Sequence, residues 1–409
     1  MQRAVDAVRR GEPLKTVARL YSVPRNTLRR HAINDAPVKK QLGCKTVLTE
    51  EQESQLCNAI LDFENMLYGL TRNDVMDLVF QFCSSRNIPN PFGNKERAGR
   101  EWLNGFLKRH PQLSIRKPEN VSIGRAYGFS RLKVNDFFRK YLSLVYDENG
   151  NRIIPNCNIY NYDESGFTIV HRPEKILARK GKRAVGMLTS AEKGKTITFL
   201  PAVSAVGHYI PPLFVFPRKR MKQELLEHAP EGSIGRANLS GWITTEIFED
   251  WFDHFVDVVQ PKNKPNPTLL LFDGHKSHTK NLNLIDKAND SNVKILSFPP
   301  HCTHKLQPLD RSFFKSLKNN YNDEVHRWLK EHRGIGLSQN KIPELVNKAY
   351  KKTASLANAV NGFRVAGLVP PNEDIFTDED FYASDQIIQQ RENEADNEAT
   401  GQNLPAPPI

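Results

Sequence analysis

The sequence predicts a multidomain chain in which all-α helix-turn-helix modules precede an α/β domain and a helical C-terminal region. Three observations support this prediction. The 409 residues exceed the size of a typical single domain. Helical periodicity and a concentration of Lys and Arg mark the first third of the chain. Runs rich in β-branched and aromatic residues begin only after residue 150, and helical patterns follow them.

The charge balance points to a polyanionic partner. Lys and Arg number 58 against 46 Asp and Glu, which gives a net charge of +12. Such an excess most often indicates nucleic-acid binding. No apolar run reaches the roughly 18–20 residues of a membrane span, and the N-terminus lacks the apolar core of a signal peptide. We therefore expect an intracellular chain, in which five scattered cysteines without a CxxC pair indicate neither disulfides nor a cysteine-based zinc site.

Residues 1–40 read as a helix-turn-helix module. AVDAVRR forms a helix that ends near Gly11, LKTVARLY has one apolar face, and Pro24 precedes the basic helix RNTLRRH. The residues expected to contact DNA are Arg25, Asn26, Arg29 and Arg30. A basic surface helix on an unrelated bundle is the alternative. The first helix begins at Met1, so we expect the module to lack part of its start.

A second helical module is predicted over residues 45–122. Thr49 with Gln52, and Thr71 with Asp74, have the spacing of capping boxes that begin two helices. EWLNGFLKRH forms a third helix. The expected DNA contacts are Lys108, Arg109 and Arg116. A plain three-helix bundle without DNA-binding activity is the alternative.

The remaining sequence divides into three regions. Strand patterns such as TITFLPAVSAVG, PTLLLFDGH and VKILSFPP alternate with helical patterns and predict an α/β domain over residues 150–335. A helical extension is expected over 336–370. Residues 371–409 are acidic, with Arg391 the single cation between Glu373 and Glu398, and we expect a disordered tail.

Three acidic residues carry the functional hypothesis. IYNYDESG ends one strand with Asp163, LLLFDGHKSH ends another with Asp273, and Asp310 follows a Pro-rich loop and opens a helix. Carboxylates that converge at strand ends suit Mg²⁺ or Mn²⁺. Two such ions can activate a water or a 3′-hydroxyl and stabilise the leaving oxygen of a phosphodiester. We therefore predict that all three acids are both metal ligands and catalytic residues.

Each acid also has a purely structural interpretation. DESG and DG are good turn sequences, and Asp310 can cap a helix. The histidines of HKSH and HCTH could form a zinc site, although HxxH alone is a weak signal. We instead expect His278 to support the acidic site and Lys305 to bind a phosphate, unless Lys305 is an ordinary surface cation.

These motifs resemble those of pogo-type transposases of the mariner superfamily, which include Tigger, Jerky-like proteins and centromere protein B. NYDESG resembles the family's first-acid motif, LLLFDGHKSH its second and FPPHCTHKLQPLD its third. EWLNGFLKRHPQLSIRKPE resembles the end of a centromere protein B-type helix-turn-helix. AVRRGEPLKTVARLYSVPRNTLRRH resembles a pipsqueak-like helix-turn-helix. The similarity extends over about residues 1–370.

The resemblance implies an RNase H-like DDE endonuclease domain that binds Mg²⁺ through Asp163, Asp273 and Asp310. It also implies sequence-specific binding to double-stranded DNA at terminal inverted repeats, strand cleavage followed by strand transfer, a nuclear location and a homodimer. A domesticated nuclear DNA-binding protein without transposase activity is the alternative function. An RNA-processing nuclease on the same fold is a third interpretation, which the two helix-turn-helix modules disfavour.

Overall fold

The structure is a computed structural model that describes residues 1–33, 46–93, 96–118, 122–168, 177, 179–182, 196–274 and 282–400, with side chains except at 33, 123, 282 and 390–400. The chain divides into two compact units. The first comprises Met1–Phe63 and Leu70–Arg116, and the second comprises Glu64–Gly69 and Lys117–Ile409. We call them the helical unit and the catalytic unit, and describe each by itself.

Three short helices open the helical unit, as the sequence predicts. They are α1 (Gln2–Arg9), α2 (Leu14–Leu20) and α3 (Arg25–Ile33). Gly11 has a φ of +97° in the turn after α1, a conformation that glycine adopts without strain. Val17 and Leu28 are fully buried in the small core that the three helices share. The side of α3 opposite Leu28 therefore faces solvent.

The second part of the helical unit contains α4 (Glu50–Asn65), α5 (Arg72–Ser85) and α6 (Arg100–Arg109). Both predicted capping boxes are present. The Thr49 amide donates to Gln52 Oε1 at 2.9 Å, and the Gln52 amide donates to Thr49 Oγ1 at 3.2 Å. Thr71 and Asp74 make the same reciprocal pair before α5. These bonds satisfy amides that the first helical turn leaves unpaired.

A seven-stranded mixed sheet forms the centre of the catalytic unit. Its strands are β1 (Ile159–Tyr162), β2 (Ser165–Thr168), β3 (Thr196–Ser204), β4 (Tyr209–Pro217), β5 (Ile234–Asn238), β6 (Thr268–Asp273) and β7 (Val293–Phe298). The order is β5-β4-β3-β1-β6-β7, and β2 also pairs with β3. β3 runs antiparallel to β1, β2 and β4, whereas β1, β6 and β7 are parallel, as are β4 and β5.

The two faces of the sheet bury different sets of side chains, because side chains alternate along a strand. Ile159, Leu269 and Leu271 belong to the larger core, on the face that we call face A. Tyr160 and Phe272 belong to the core on the opposite face, face B. Face A packs against α8 (Arg131–Val145), α12 (Phe314–Glu331), α13 (Ile342–Thr353) and α14 (Leu356–Val365); face B packs against α9 (Thr245–Val259) and α10 (Leu282–Asp290).

Two local features were not predicted. β5, with the sequence IGRAN, is a short strand at the edge of the sheet, and its glycine and polar residues gave no strand pattern. Residues Leu309–Phe313 form a π-helical turn before α12, where the sequence predicts the start of an ordinary helix. A single π turn shifts the side chains that follow it relative to an α-helix.

The prediction of a disordered C-terminal tail over 371–409 was wrong for its described part. α15 spans Asp378–Thr400. Phe376 and Phe381 are buried, and the Phe381 ring stacks on Phe129 with centroids 5.2 Å apart. The acidic composition concealed these two aromatic anchors, which supply the apolar burial that a disordered segment lacks. Residues 401–409 lie outside the described part of the chain.

Ion pairs fasten the start of α15 to the rest of the catalytic unit. Arg131 donates to Asp378 at 2.7 Å and to Asp385 at 3.2 Å. Lys305 Nζ donates to Asp380 Oδ1 at 2.6 Å. The acidic residues that suggested a solvated tail therefore pair with cations of the catalytic unit.

Replacing Phe381 with alanine should lower the free energy of unfolding of the catalytic unit by about 3 kcal/mol, because it removes a buried aromatic side chain. Urea denaturation of the full chain measures this change. Glu379→Ala is the matched control, since Glu379 is exposed on the same helical turn. It should change the free energy by less than about 0.5 kcal/mol. Equal effects of both substitutions would indicate that the segment is detached from the core.

Candidate metal-binding active site

Asp163 and Asp273 lie side by side at the carboxyl ends of two neighbouring parallel strands. In the register of β1 and β6, Asn161 is opposite Leu271, and each acid follows two residues later. Adjacent strands are about 4.8 Å apart, so the two acids lie near one another. The alternation of side chains places both on face A. Both residues are half-buried.

Asp310 reaches the same face from the π-helical turn. Leu309, the residue before it, is buried in the core of face A. The Leu309 amide donates to Asn161 Oδ1 at 3.0 Å. Asp310 itself remains exposed. The third acid is therefore held against the strand that carries the first.

Asn161 links the three chain segments that carry the acids. Its side chain is fully buried, and its Nδ2 donates to Leu271 O at 3.0 Å and to Tyr162 O at 3.2 Å while Oδ1 accepts from Leu309. An amide suits this position because it donates and accepts hydrogen bonds at once. Sequence reasoning missed Asn161, although a buried polar residue in the apolar strand IYNY was a usable signal.

The charges of the three acids act on one another. Burial raises the pKa of Asp163 well above its usual value, and the negative charges of Asp310 and Asp273 raise it further. Desolvation by the surrounding elements raises the pKa of Asp310 although its side chain keeps an exposed face, while Arg125 and Lys318 lower this pKa and Asp273 raises it. The structure thus brings together all three acids that the sequence singled out, close enough for their carboxylates to repel.

The donor set fits a divalent cation. Three carboxylates offer only hard oxygen ligands, and their mutual repulsion is the kind of charge excess that a bound Mg²⁺ or Mn²⁺ offsets. Among the residues that the structure describes, no three His, Cys, Asp or Glu side chains surround a metal position as they stand. The acids therefore interact through their charges without forming a closed ligand set.

Two cations flank Asp310, and sequence reasoning named neither. Arg125 lies on the short helix α7 (Ile123–Gly128), far from Asp310 in sequence, and Lys318 lies in the first two turns of α12. Both are exposed. Exposed cations beside a carboxylate cluster suit the binding of a phosphate group. A periodicity argument could have found Lys318, whereas only the tertiary structure places Arg125 here.

The sequence predicts that Lys305 binds a phosphate near the acids, whereas in the structure it contacts an acid and an aromatic ring of the chain itself. Its Nζ binds Asp380 and also lies 5.0 Å from the centre of the Phe129 ring. It lies on a short helix, Thr303–Leu306, that follows the Pro-rich loop. The phosphate-binding role of Lys305 stays a prediction. His278 lies outside the described residues.

The zinc alternative gains no support from Cys302 and His304. Burial raises the pKa of the Cys302 thiol to about 11, and its Sγ donates to Gly128 O at 3.3 Å. Burial lowers the pKa of His304 to about 4, and its ring packs edge-on against Phe129. A protonated, hydrogen-bonded thiol is a poor zinc ligand. The HKSH motif lies outside the described residues.

The predicted DNA contacts of α3 are all accessible. Arg25, Asn26, Arg29 and Arg30 are all exposed on α3, whose Leu28 is buried. A basic face of this kind on the second of two short helices is the surface that a helix-turn-helix presents to DNA. The role of these residues stays a prediction.

The second predicted group of DNA contacts is divided. Lys108 and Arg116 are exposed. The Arg109 guanidinium instead donates to both carboxylate oxygens of the buried Glu53, at 2.8 and 2.6 Å, and Glu53 also contacts His110. Buried carboxylates require such partners. Arg109 therefore contributes to the core of the helical unit, and its DNA-binding role stays a prediction.

A model of the DDE superfamily endonuclease family matches residues 193–365. The match includes Asp273 and Asp310, and it begins after the strand that precedes Asp163. It confirms the family resemblance drawn from the acidic motifs at the level of this superfamily.

Two curated fungal proteins are similar to parts of this chain. The protein named MFS-type transporter clz9, of Cochliobolus lunatus, is 30% identical over 53% of this chain and 24% of its own length. Chaetoglobosin A biosynthesis cluster protein C, of Chaetomium globosum, is 27% identical over 41% of this chain and 39% of its own length. The chain thus matches less than half of either relative. None of the described helices is long and apolar enough to cross a membrane.

Two solved structures of the Mos1 transposase align with this chain at low sequence identity. The Mos1 mariner paired end complex with Mn aligns with 90% of this chain and 96% of its own, at 10% identity and a TM-score of 0.46. The Mos1 paired-end complex with the left transposon end aligns with 86% of this chain and 96% of its own, at 13% identity and a TM-score of 0.44.

Replacing Asn161 with leucine should lower the free energy of unfolding by about 3 kcal/mol, because it leaves buried backbone groups of Leu271 and Leu309 unpaired. Urea denaturation measures the loss. Asn266→Ala is the control, since it removes one exposed bond, from Asn266 Nδ2 to Ile153 O. The control should lose less than about 1 kcal/mol. Similar losses in both variants would contradict the linking role of Asn161.

Proposed function

We propose that this chain, whose residues 193–365 form a DDE superfamily endonuclease domain, cleaves DNA strands at the terminal repeats of a transposon and joins the freed ends to target DNA. The observation that carries the proposal is the convergence of Asp163, Asp273 and Asp310 on face A, where their charges act on one another. The presence of all three acids in the sequence favours this function over DNA binding alone.

Asp163, Asp273 and Asp310 would hold Mg²⁺ or Mn²⁺. When bound, these ions would make a water or a 3′-hydroxyl nucleophilic and stabilise the leaving oxygen of the phosphodiester. The exposed face of Asp310 leaves the site open to a large substrate. The two half-buried acids provide the rigid part of the ligand set, because they are placed by paired strands.

The neighbouring residues would orient the DNA. Arg125 and Lys318, whose charges act on Asp310, would bind DNA phosphates near the scissile bond. Asn161 would act as a positioning residue, which keeps the three acid-bearing segments in register. The exposed cations of α3 would anchor the chain on duplex DNA.

The finer assignments belong to the same proposal. The strand order, with three antiparallel strands followed by two parallel ones, supports an RNase H-like domain. The two helical modules, each with an exposed basic surface, support pipsqueak-like and centromere protein B-type helix-turn-helix domains. A pogo-type transposase that acts in the nucleus as a homodimer follows from the family resemblance. A domesticated DNA-binding protein would keep these modules without cleavage.

Asp273→Asn should abolish metal-dependent nicking while DNA affinity stays unchanged. The loss should reach at least about 100-fold, because metal-ion catalysis supplies several kcal/mol. Nicking of DNA that carries the candidate terminal repeats is measured with Mn²⁺ and Mg²⁺. Asp257→Asn is the control, since Asp257 is exposed on α9, which packs on face B. Nicking by purified Asp273→Asn would refute the acid assignment, and tight binding by a wild type that does not nick would favour the domesticated protein.

Replacing Arg25, Arg29 and Arg30 together with glutamine should weaken DNA binding and flatten its salt dependence. Each lost phosphate contact reduces the slope of log K against log salt by about 0.9, so three contacts would remove about 2.7. Fluorescence anisotropy over a salt series measures the slope. The control replaces Lys294, Lys330 and Arg333, exposed in the catalytic unit, and makes the same change in net charge. An unchanged slope in the α3 variant would exclude this helix from the interface.

A further inference from the structure

A cluster of cations at the end of β4 has no role in the site described above. Arg218, Lys219, Arg220 and Lys222 fall within five residues that contain no acid. Lys219, Arg220 and Lys222 are exposed. None of the four side chains forms a hydrogen bond or ion pair with another residue of the described chain. Clustered like charges repel one another, so a bound polyanion would lower the electrostatic energy of this stretch.

The backbone that carries these cations is fixed in place. The Arg218 amide donates to Asn238 O, at the end of β5, at 3.0 Å. Met221 packs over Gly235 of β5, where an added Cβ would collide with the methionine methyl group. Leu225, on the turn that follows, is buried in the core of face A. The cations therefore project from an ordered corner of the sheet.

An exposed tryptophan lies at the same corner. Trp242 is 62% exposed, in the turn between β5 and α9. Asn238 orders this turn, because its Oδ1 accepts from the Gly241 amide and from Ser240 Oγ, both at 2.7 Å. Thr198 Oγ1 also donates to Gly241 O at 2.7 Å. A large aromatic side chain held at the surface by a rigid turn is typical of a binding site.

The tryptophan turn and the cations are neighbours. An added Cβ at Gly241 would lie 2.9 Å from Pro217 Cβ, and Pro217 immediately precedes the first cation. Together, Arg218, Lys219, Arg220, Lys222 and Trp242 form a surface that we call the basic–aromatic corner.

This corner lies on the same rim of the sheet as the acids. β4 and β5 run parallel to β1 and β6, so their carboxyl ends point the same way. Along β3, Asp163 lies beside Pro201, and the end of β4 lies beside Thr196. Five residues of strand and two strand spacings separate them by about 20 Å.

We propose that the basic–aromatic corner binds a single DNA strand about 20 Å from the cleaved bond, with the cations on its phosphates and Trp242 stacked on an unpaired base. The inference rests on the proposed function and deepens it, because it assigns a site for the strand that flanks the cleavage point. Cationic grooves with aromatic platforms bind single strands in this way, since every base has a face on which a ring can stack.

The test uses the full-length protein without divalent metal, so that binding is measured apart from cleavage. Two labelled probes are compared by fluorescence anisotropy: a blunt duplex, and the same duplex with a single-stranded overhang of about ten nucleotides. Trp242→Ala should weaken overhang binding about tenfold and leave blunt-duplex binding unchanged. Trp242→Phe should restore most of the affinity. Lys219→Gln with Arg220→Gln should weaken overhang binding and flatten its salt dependence.

Two controls accompany these variants. Leu239→Ala removes an equally exposed apolar residue of the same turn that cannot stack. Lys330→Gln with Arg333→Gln removes the same charge about 30 Å along α12 from Asp310. Both should bind the overhang as the wild type does. Loss of overhang binding in Trp242→Ala but not in either control supports the inference, even where the wild type does not nick DNA. Unchanged overhang binding overturns it, while nicking by the same protein would leave the proposed function intact.

Discussion

The hydrogen bonds of Asn161 are the constraint on which the candidate site depends. Three carboxylates on separate segments repel one another, so neighbouring acids do not hold such an arrangement together. The buried amide of Asn161 connects β1 to Leu271 on β6 and to Leu309 at the π-helical turn. Asp163 and Asp273 each lie two residues after the residue of their strand that takes part in these bonds. Asp310 lies one residue after Leu309. The spacing of the acids is therefore set by a neutral group behind them.

Charge is distributed unevenly over the catalytic unit, and this unevenness has a chemical consequence. The acids on face A carry negative charge. Arg125 and Lys318 lower the pKa of Asp310 and so partly offset this charge. At the basic–aromatic corner, cations gather, and none of them pairs with an acid among the described residues. A DNA strand along the rim would place its phosphates against the cations, and metal ions would meet the acids. The net charge of the whole chain does not reveal where these acids and cations lie.

The C-terminal helix shows how apolar anchors decide the fate of an acidic segment. Phe381 packs against Phe129, and Asp380 pairs with Lys305. Phe129 also contacts His304, in the short helix between the Pro-rich loop and Asp310. Through these contacts α15 packs against the segment that precedes Asp310. In an extended tail the acidic side chains would repel one another. Because the buried Phe376 and Phe381 anchor the helix, Asp380 instead pairs with Lys305.

The sequence by itself determined the local elements and the identity of the acids. Capping boxes at Thr49 and Thr71, the apolar strand before Asp273 and the acid motifs are short-range signals, and the structure contains each of them. Only the tertiary structure decided which segments meet. The pairing of Asn161 with Leu309, the approach of Arg125 to Asp310 and the commitment of Arg109 to Glu53 join residues far apart in the chain. Periodicity reports which face of an element is buried, but it carries no information about the partner that buries it.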